Sequence, residues 1–483
     1  MLSSLKLMKK TVALCAYLLC FYSSSFAIEI DSLTYGKFGK ILIYHTDKTP
    51  TSVALFVSGD GGWKSGVINM AKNIALQGAL VLGIDAKFYN KSLSKLLSDC
   101  YYPAADFEEL SLMIQKKYKF ANYVKPVLIG YSYGAALIYG ILVQAPTNTF
   151  KGAIALGFCP DIELKKPLCK GNGLTQHVLK KGVSFYLERS DNLTAPFIAL
   201  NGVRDQTCPF NATASFMKGL KNTDLVTLSK VGHGFSIADN WLPQFNQAYR
   251  KILNTPSSTV QQHEDSSSGI KHKTVPYKDE LPLTIIPSSK KNNLPFVFMI
   301  SGDGGWTNFD QSVAESLAAK GFSVLGLDAQ KYFWNKKTPE LATQDIVKAL
   351  VYYRSYFEKD KFILAGYSFG ASILPFIANR LTFELKPSVA GIFALSPSEF
   401  ADFEIHISDM LNFGSGKNKY NVVAEFKKIK SIGPVCFFGK DEDSQIIEKF
   451  SKEGLKVLTL PGNHHFDNDF NRIAEAVLKS IAK

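Results

Sequence analysis

Two serines stand where a polypeptide chain can build a nucleophile. Ser132 lies in "VLIGYSYGAALIYG" and Ser368 in "ILAGYSFGASILPF", each within G-x-S-x-G, after an apolar run and before a helical one. On such a strand-to-helix turn the glycines let strand and helix approach closely, and the serine hydroxyl is pushed out at the helix N-terminus. One such motif arises readily by chance; two, in the same context and each followed by Ala, do not. A serine nucleophile needs a base, and the base needs an orienting carboxylate. In the first half "PFIALNGVRDQTCPF" offers Asp205 and "LVTLSKVGHGF" offers His233, each just past an apolar strand. In the second half "PVCFFGKDEDSQ" and "KVLTLPGNHHF" are the counterparts. Matching Phe466 to Phe235 places His464 opposite His233. The acid is Asp443 or Asp441, because this copy carries one extra residue; aligning "EDS" with "RDQ" favours Asp443.

The order Ser, acid, His is that of α/β-hydrolases. That fold takes a second oxyanion-hole N–H from the loop after an early strand, the first coming from the residue that follows the nucleophile. Tyr133 and Phe369 hold the latter position. The early loop is the repeated string "SGDGGW", residues 58–63 and again 301–306. Its Asp60, Gly61 and Gly62, and likewise Asp303, Gly304 and Gly305, are candidates to face an oxyanion or a substrate. The two aspartates either close the turn through backbone hydrogen bonds or set a carboxylate beside the pocket for a substrate ammonium. No Gly-Lys-Ser/Thr follows, so the string is not a phosphate-binding loop. Trp63 and Trp306 read as pocket walls or as core residues.

These landmarks recur in one order, at offsets of 243 residues for SGDGGW, 236 for the serine and 231 for the histidine. So slow a drift marks a duplicated domain with small loop differences. Within each copy, apolar strands alternate with amphipathic helices, as in "VALFV" before "NMAKNIALQG" and "FVFMI" before "SVAESLAAKG". The expectation is two tandem α/β-hydrolase domains, each a mostly parallel sheet flanked by helices. Between serine and acid each copy inserts about 40 residues that differ between the halves, a place where an excursion caps and shapes a pocket.

The chain has 483 residues, 46% of them hydrophobic, enough for two sizeable cores. It begins "MLSSLKLMKKTVALCAYLLCFYSSSFA", with a basic start, a short apolar run and Ser25-Phe26-Ala27, the pattern of a Sec signal peptide cleaved after Ala27. The expected organisation is a signal peptide at 1–27, an N-terminal domain at 28–254, a Ser/Thr/Gln-rich linker at 255–276 and a C-terminal domain at 277–483. Export places the protein in the periplasm, which makes nucleic acid an unsuitable partner. It also lets Cys100, Cys159, Cys169 and Cys208 form two disulfides, with three connectivities open. No cysteine or histidine spacing points to a metal, and ester chemistry by a serine needs no cofactor. Without the three leader lysines the chain carries 52 basic and 42 acidic residues, a balance suited to peripheral contact with an anionic membrane surface.

The second half resembles the VirJ/AcvB family of bacterial virulence proteins. "SGDGGW", "YFWNKKTPELATQDI", "GYSFGASILPFIANRL", "FEIHISDML" and "PGNHHFDND" follow its pattern across nearly all of 275–483, and the two-domain exported layout resembles its AcvB branch. The resemblance implies a periplasmic serine hydrolase that cleaves the aminoacyl ester of a phospholipid, lysyl-phosphatidylglycerol, with Ser368, His464 and Asp443 as its triad. One departure is Ser372, where the family often has Asp, a difference that bears on recognition of a cationic head group. Two alternatives are a non-catalytic periplasmic factor with secretion-system or virulence-protein partners, and an esterase or peptidase with another substrate.

Overall fold

A computed structural model describes residues 27–255 and 281–481, apart from 147, 148, 192, 194, 289, 291 and 406–419. The expected leader up to residue 26, the linker beyond Thr255 and the middle of the second insertion lie outside the described residues.

The first half builds strands β1 (Ile28–Tyr35), β2 (Gly39–Thr46), β3 (Ser52–Val57), β4 (Ala79–Ile84), β5 (Val127–Tyr131), β6 (Gly152–Leu156), β7 (Asp161–Glu163), β8 (Gln176–Lys180), β9 (Ser184–Leu187), β10 (Phe197–Gly202) and β11 (Thr223–Leu228). Eight of them form one sheet in the order β1-β2-β4-β3-β5-β6-β10-β11. β1, β2 and β4 run antiparallel to their neighbours on that edge, and β4 onward is parallel. β3, β4 and β10 are buried along their whole length, as continuous apolar runs covered on both faces must be. One face packs on a core that includes Phe107, Phe158 and Phe197, the other on one with Phe56, Phe245 and Tyr249.

The second half repeats this plan with β12 (Leu283–Ile286), β13 (Phe296–Ile300), β14 (Val324–Leu327), β15 (Phe362–Tyr367), β16 (Val389–Leu395), β17 (Phe400–Ala401), β18 (Tyr420–Asn421), β19 (Val435–Gly439) and β20 (Lys456–Leu460). Its main sheet runs β12-β14-β13-β15-β16-β19-β20, the same order without the outermost strand. Local signals place the helices between strands. Thr307 and Asp310 form a reciprocal capping box at the start of helix Asn308–Lys320, and Gly321, at φ 113°, ends it. The insertion after β6 makes a separate antiparallel sheet β7-β9-β8, and the one after β16 contributes the pair β17-β18. Among the described residues no helix is long and apolar enough to cross a membrane.

The four first-half cysteines pair as Cys100–Cys169 and Cys159–Cys208, which selects one of the three connectivities. The two halves touch through a short helix of the second, Ala329–Tyr332, and the residues after it. Lys331 forms a buried ion pair with Glu108 of the first half and another, at 3.0 Å, with Asp328. The Trp334 indole lies against Tyr123 and under the Lys116 ammonium.

Candidate active sites

β5 ends at Tyr131 and helix Tyr133–Gln144 begins two residues later, so Ser132 alone makes the turn, at φ 54° and ψ −118°. Ser368, between β15 and helix Phe369–Asn379, has φ 51° and ψ −109°. Such backbone costs a non-glycine residue on the order of 1–3 kcal/mol and persists only where packing enforces it. The enforcing contact needs glycine. A Cβ on Gly130 would lie 2.2 Å from the Gly134 carbonyl oxygen, and one on Gly134 2.4 Å from that of Val57. In the second half the corresponding clashes are 2.6 Å for Gly366 and 2.2 Å for Gly370.

The histidines arrive on the loops after the last strand of each sheet. His233 Nε2 is 2.8 Å from Ser132 Oγ, and its Nδ1 is 2.8 Å from Asp205 Oδ2. With the imidazole proton on Nδ1 donating to the carboxylate, Nε2 accepts from the serine hydroxyl, the arrangement a general base requires. The Asp205 side chain is buried, and its Oδ1 accepts from the N–H groups of Thr207 and Cys208 at 2.9 and 2.8 Å. The Cys159–Cys208 disulfide ties this acid loop to the segment after β6, where Gly157 passes beneath the His233 ring.

His464 Nε2 lies 3.0 Å from Ser368 Oγ, but its Nδ1 pairs with neither expected aspartate. The partner is Glu442, with Oε2 at 2.9 Å. This corrects the expectation of Asp443 or Asp441. Asp443 caps helix Ser444–Lys452, accepting from Gln445 N–H at 2.9 Å, and both aspartates are exposed. Asp441 donates its backbone N–H to Gly462. The one-residue-longer turn carries both aspartates outward, and the extra methylene of glutamate reaches back to the imidazole. Glu442 Oε1 accepts from Gly439 N–H at 2.6 Å and from Ser396 Oγ–H at 2.7 Å. Burial opposes its charge, but hydrogen bonds from His464, Ser396 and Gly439 outweigh that and hold its pKa below the ordinary glutamate value. Ser396 went unrecognised in the sequence. It sits at φ 52° just past β16, where the first half has Gly157, and its hydroxyl reaches Glu442 on the acid loop. One pair of loops is thus tied by a disulfide in the first half and by a hydrogen bond in the second.

His465 takes no part in the relay. Its N–H donates to Asn463, its ring packs edge-on against Phe309, and its pKa is lowered by burial and then by the neighbouring His464. Ser372 is buried under the nucleophile. Its hydroxyl donates to the Ser368 carbonyl at 3.0 Å and accepts from Ser398 N–H at 2.9 Å, so it ties the helix to the insertion.

The six residues of the repeated string have separate tasks. Ser58 and Ser301 are buried, accepting from the N–H of Ala86 and Ala329 and donating to the next carbonyl. Gly59 and Gly302 pass over the nucleophile, with Ser132 Cβ 3.4 Å and Ser368 Cβ 3.8 Å from where their own Cβ would be. Gly62 and Gly305, both at φ 81°, spend their N–H groups on the carbonyls of Gly59 and Gly302. That removes them as oxyanion donors, contrary to expectation. The loop stretch over each serine is therefore Gly59–Asp60 and Gly302–Asp303, with Gly61 and Gly304 just beyond. Opposite it stand the N–H groups of Tyr133 and Phe369, whose place at the first helical position leaves them without an intrahelical acceptor. Trp306 is a buried core residue and Trp63 is partly buried against the core, packed onto Gly326 and Gly83 of the neighbouring strands. Asp60 is exposed and, with Tyr133, lines a cleft of about 470 Å³ beside Ser132. Asp303 is half-buried near Tyr367.

Strand order, elbow serines and relay geometry together define the α/β-hydrolase class. Within it, the chain belongs to the VirJ family, described as bacterial virulence protein (VirJ), whose profile matches residues 51–156 and 295–483. No curated protein matches the chain. Similar solved structures include the esterase domain of a Rhodothermus marinus protein, at 16% identity over 47% of this chain and 98% of that one, with a TM-score of 0.32. Est1E from Butyrivibrio proteoclasticus is 12% identical over 47% and 99%, also with a TM-score of 0.32. An alpha-beta serine hydrolase homologue from Coxiella burnetii is 14% identical over 46% and 96%, with a TM-score of 0.30.

Proposed function

We propose that the protein is a periplasmic serine hydrolase that cleaves the aminoacyl ester of a membrane phospholipid, lysyl-phosphatidylglycerol, through an acyl-enzyme. The observation that carries the hydrolase reading is the complete relay in each half, Ser132–His233–Asp205 and Ser368–His464–Glu442, on a strained elbow. The serine Oγ attacks the ester carbonyl carbon while its proton passes to histidine Nε2, and the carboxylate at Nδ1 stabilises the imidazolium. The oxyanion forms between the N–H after the serine and the loop above it. Its collapse expels the lipid alcohol, which takes the proton from Nε2. Water then enters by the same path and releases the aminoacyl group as the free amino acid.

Two disulfides in the first half and the signal-peptide pattern support an oxidising, exported setting. Family membership supports the lipid substrate, and the carboxylates of Asp60 and Asp303 beside the serines suit a lysyl ammonium. Labelling with a fluorophosphonate probe tests the class, with Ser132→Ala and Ser368→Ala showing which site reacts. Failure of both serines to label refutes a hydrolase. Lysyl-phosphatidylglycerol that stays equally abundant in cells with and without the gene, while the lipid is being made, refutes the substrate.

A further inference from the structure

The insertion after β6 carries a hairpin whose outward surface sets exposed apolar side chains beside lysines. In "HVLKKGV", residues 177–183, every residue is exposed, and among the described residues β8 is an edge strand paired with β9 alone. A register shift between Val178 and Lys180 breaks the alternation that would bury one face. Val178, Leu179 and Val183 are 55%, 51% and 41% exposed, beside Lys180 and Lys181 at the tip. Gly182 and Val183 also line the cleft next to Ser132, whose wall carries Lys87, Lys91 and Lys165 as well as the acids Asp60 and Glu163. The hairpin's flank adds the ion pair of His177 with Glu188. Two lysines at the tip and three on the wall of a cleft that also takes in Tyr133, the residue after the nucleophile, thus accompany the apolar side chains of the hairpin.

Lysines alone would be explained as protection of an edge strand against pairing with another chain. Such protection does not call for three large apolar side chains turned to solvent on one hairpin, and a soluble surface gains nothing from them. Apolar side chains ringed by lysine are what an anionic bilayer selects, because the chains enter the acyl boundary while the ammonium groups meet lipid phosphates. The second site differs here. The position corresponding to Lys87 is the buried Gln330, and that corresponding to Lys91 is Trp334, packed on the first half.

We infer that the β8–β9 hairpin and the lysines around the Ser132 cleft form a membrane-docking face that sets the first site against an anionic phospholipid surface. The inference draws on the hydrolase reading for the purpose of the cleft, and the docking itself does not depend on it. The test uses the mature full chain carrying Ser132→Ala and Ser368→Ala, so that binding is read without turnover. It should sediment with vesicles of equal parts phosphatidylglycerol and phosphatidylcholine, not with phosphatidylcholine alone, and less at high salt. Val178→Asp with Leu179→Asp, and separately Lys180→Glu with Lys181→Glu, should each weaken sedimentation at least tenfold while the thermal midpoint stays put. Val178→Trp should show emission shifted to the blue on adding the anionic vesicles. Absence of vesicle binding, binding that survives both double substitutions, or an unshifted tryptophan overturns the proposal. So does a wild-type dimer that the aspartate substitutions dissolve without any vesicle binding, which would make the edge strand an interface between copies.

Discussion

Replacing Glu442 by Gln should silence the second site for a reason that the geometry makes specific. Oε1 of this residue accepts from the Gly439 N–H, a backbone group that can only donate. In the variant that position must therefore remain the amide oxygen, which turns the amide NH2 towards His464 Nδ1. His464 can then meet it only with an unprotonated Nδ1, and the imidazole proton moves to Nε2, the atom that has to accept from Ser368 at 3.0 Å. The base is present, correctly placed and in the wrong tautomer. A defect of that kind costs about 10⁴-fold in kcat, or about 5.5 kcal/mol of barrier. The assay is turnover of a chromogenic ester in a Ser132→Ala background, so that only the second site reports. Asp443→Asn and Asp441→Asn serve as controls, the former keeping its helix cap because an amide oxygen also accepts from the Gln445 N–H, and neither should slow the reaction. If Glu442→Gln keeps turnover within tenfold of its parent, or if either aspartate variant falls with it, the assignment of the acid is wrong.

Cys159→Ser with Cys208→Ser opens a link spanning 49 residues, worth about 4 kcal/mol by loop-closure entropy, and frees the loop that holds Asp205. Fluorophosphonate labelling should slow at Ser132 and stay unchanged at Ser368; equal rates at both serines would show that the disulfide does not position the acid. Asp310, buried beneath the second SGDGGW loop, has its carboxyl raised to about 7, chiefly by burial and against hydrogen bonds from Thr307 and Gly302. Its folded value lies above its unfolded one, so the folded state binds the extra proton. This group's contribution to stability therefore falls as pH rises from about 4 to 7, and its cost is complete above that window. Thermal unfolding of Asp310→Asn should show a flatter pH profile across the window than the parent, and an unchanged profile would refute the assignment.

Much of the fold could be read directly because it depends on local pattern. Buried parallel strands need continuous apolar runs such as "VALFV" and "FVFMI", and the repeat of whole strings in one order required two copies of one plan. The elbow was legible for a steric reason: a strand and a helix that meet over a single serine leave no room for Cβ at Gly130, Gly134, Gly366 or Gly370. The string SGDGGW was harder to interpret. Consecutive glycines signal a tight turn, yet which N–H groups the turn consumes depends on the carbonyls it closes on, and the Gly62 and Gly305 N–H groups went to the turn itself.

Residue type and order alone determined the nucleophiles, the histidine-bearing loops, the duplicated α/β plan and the first acid, Asp205; for the second relay they pointed to Asp443 or Asp441 and passed over Glu442. The tertiary structure decided the rest. "DEDS" offers three carboxylates within three residues, all suitable in type, and their distances from the imidazole are set by the path of a turn one residue longer than its counterpart. In that turn Asp443 faces Gln445 N–H and caps a helix, while Glu442 points inward to meet His464, Ser396 and Gly439 together. A carboxylate stays charged in a half-buried site only where several donors converge on it, and such convergence of distant segments is a property of the folded chain. The disulfide pairing was open in the sequence for the same reason, since it too joins segments that only the fold brings together.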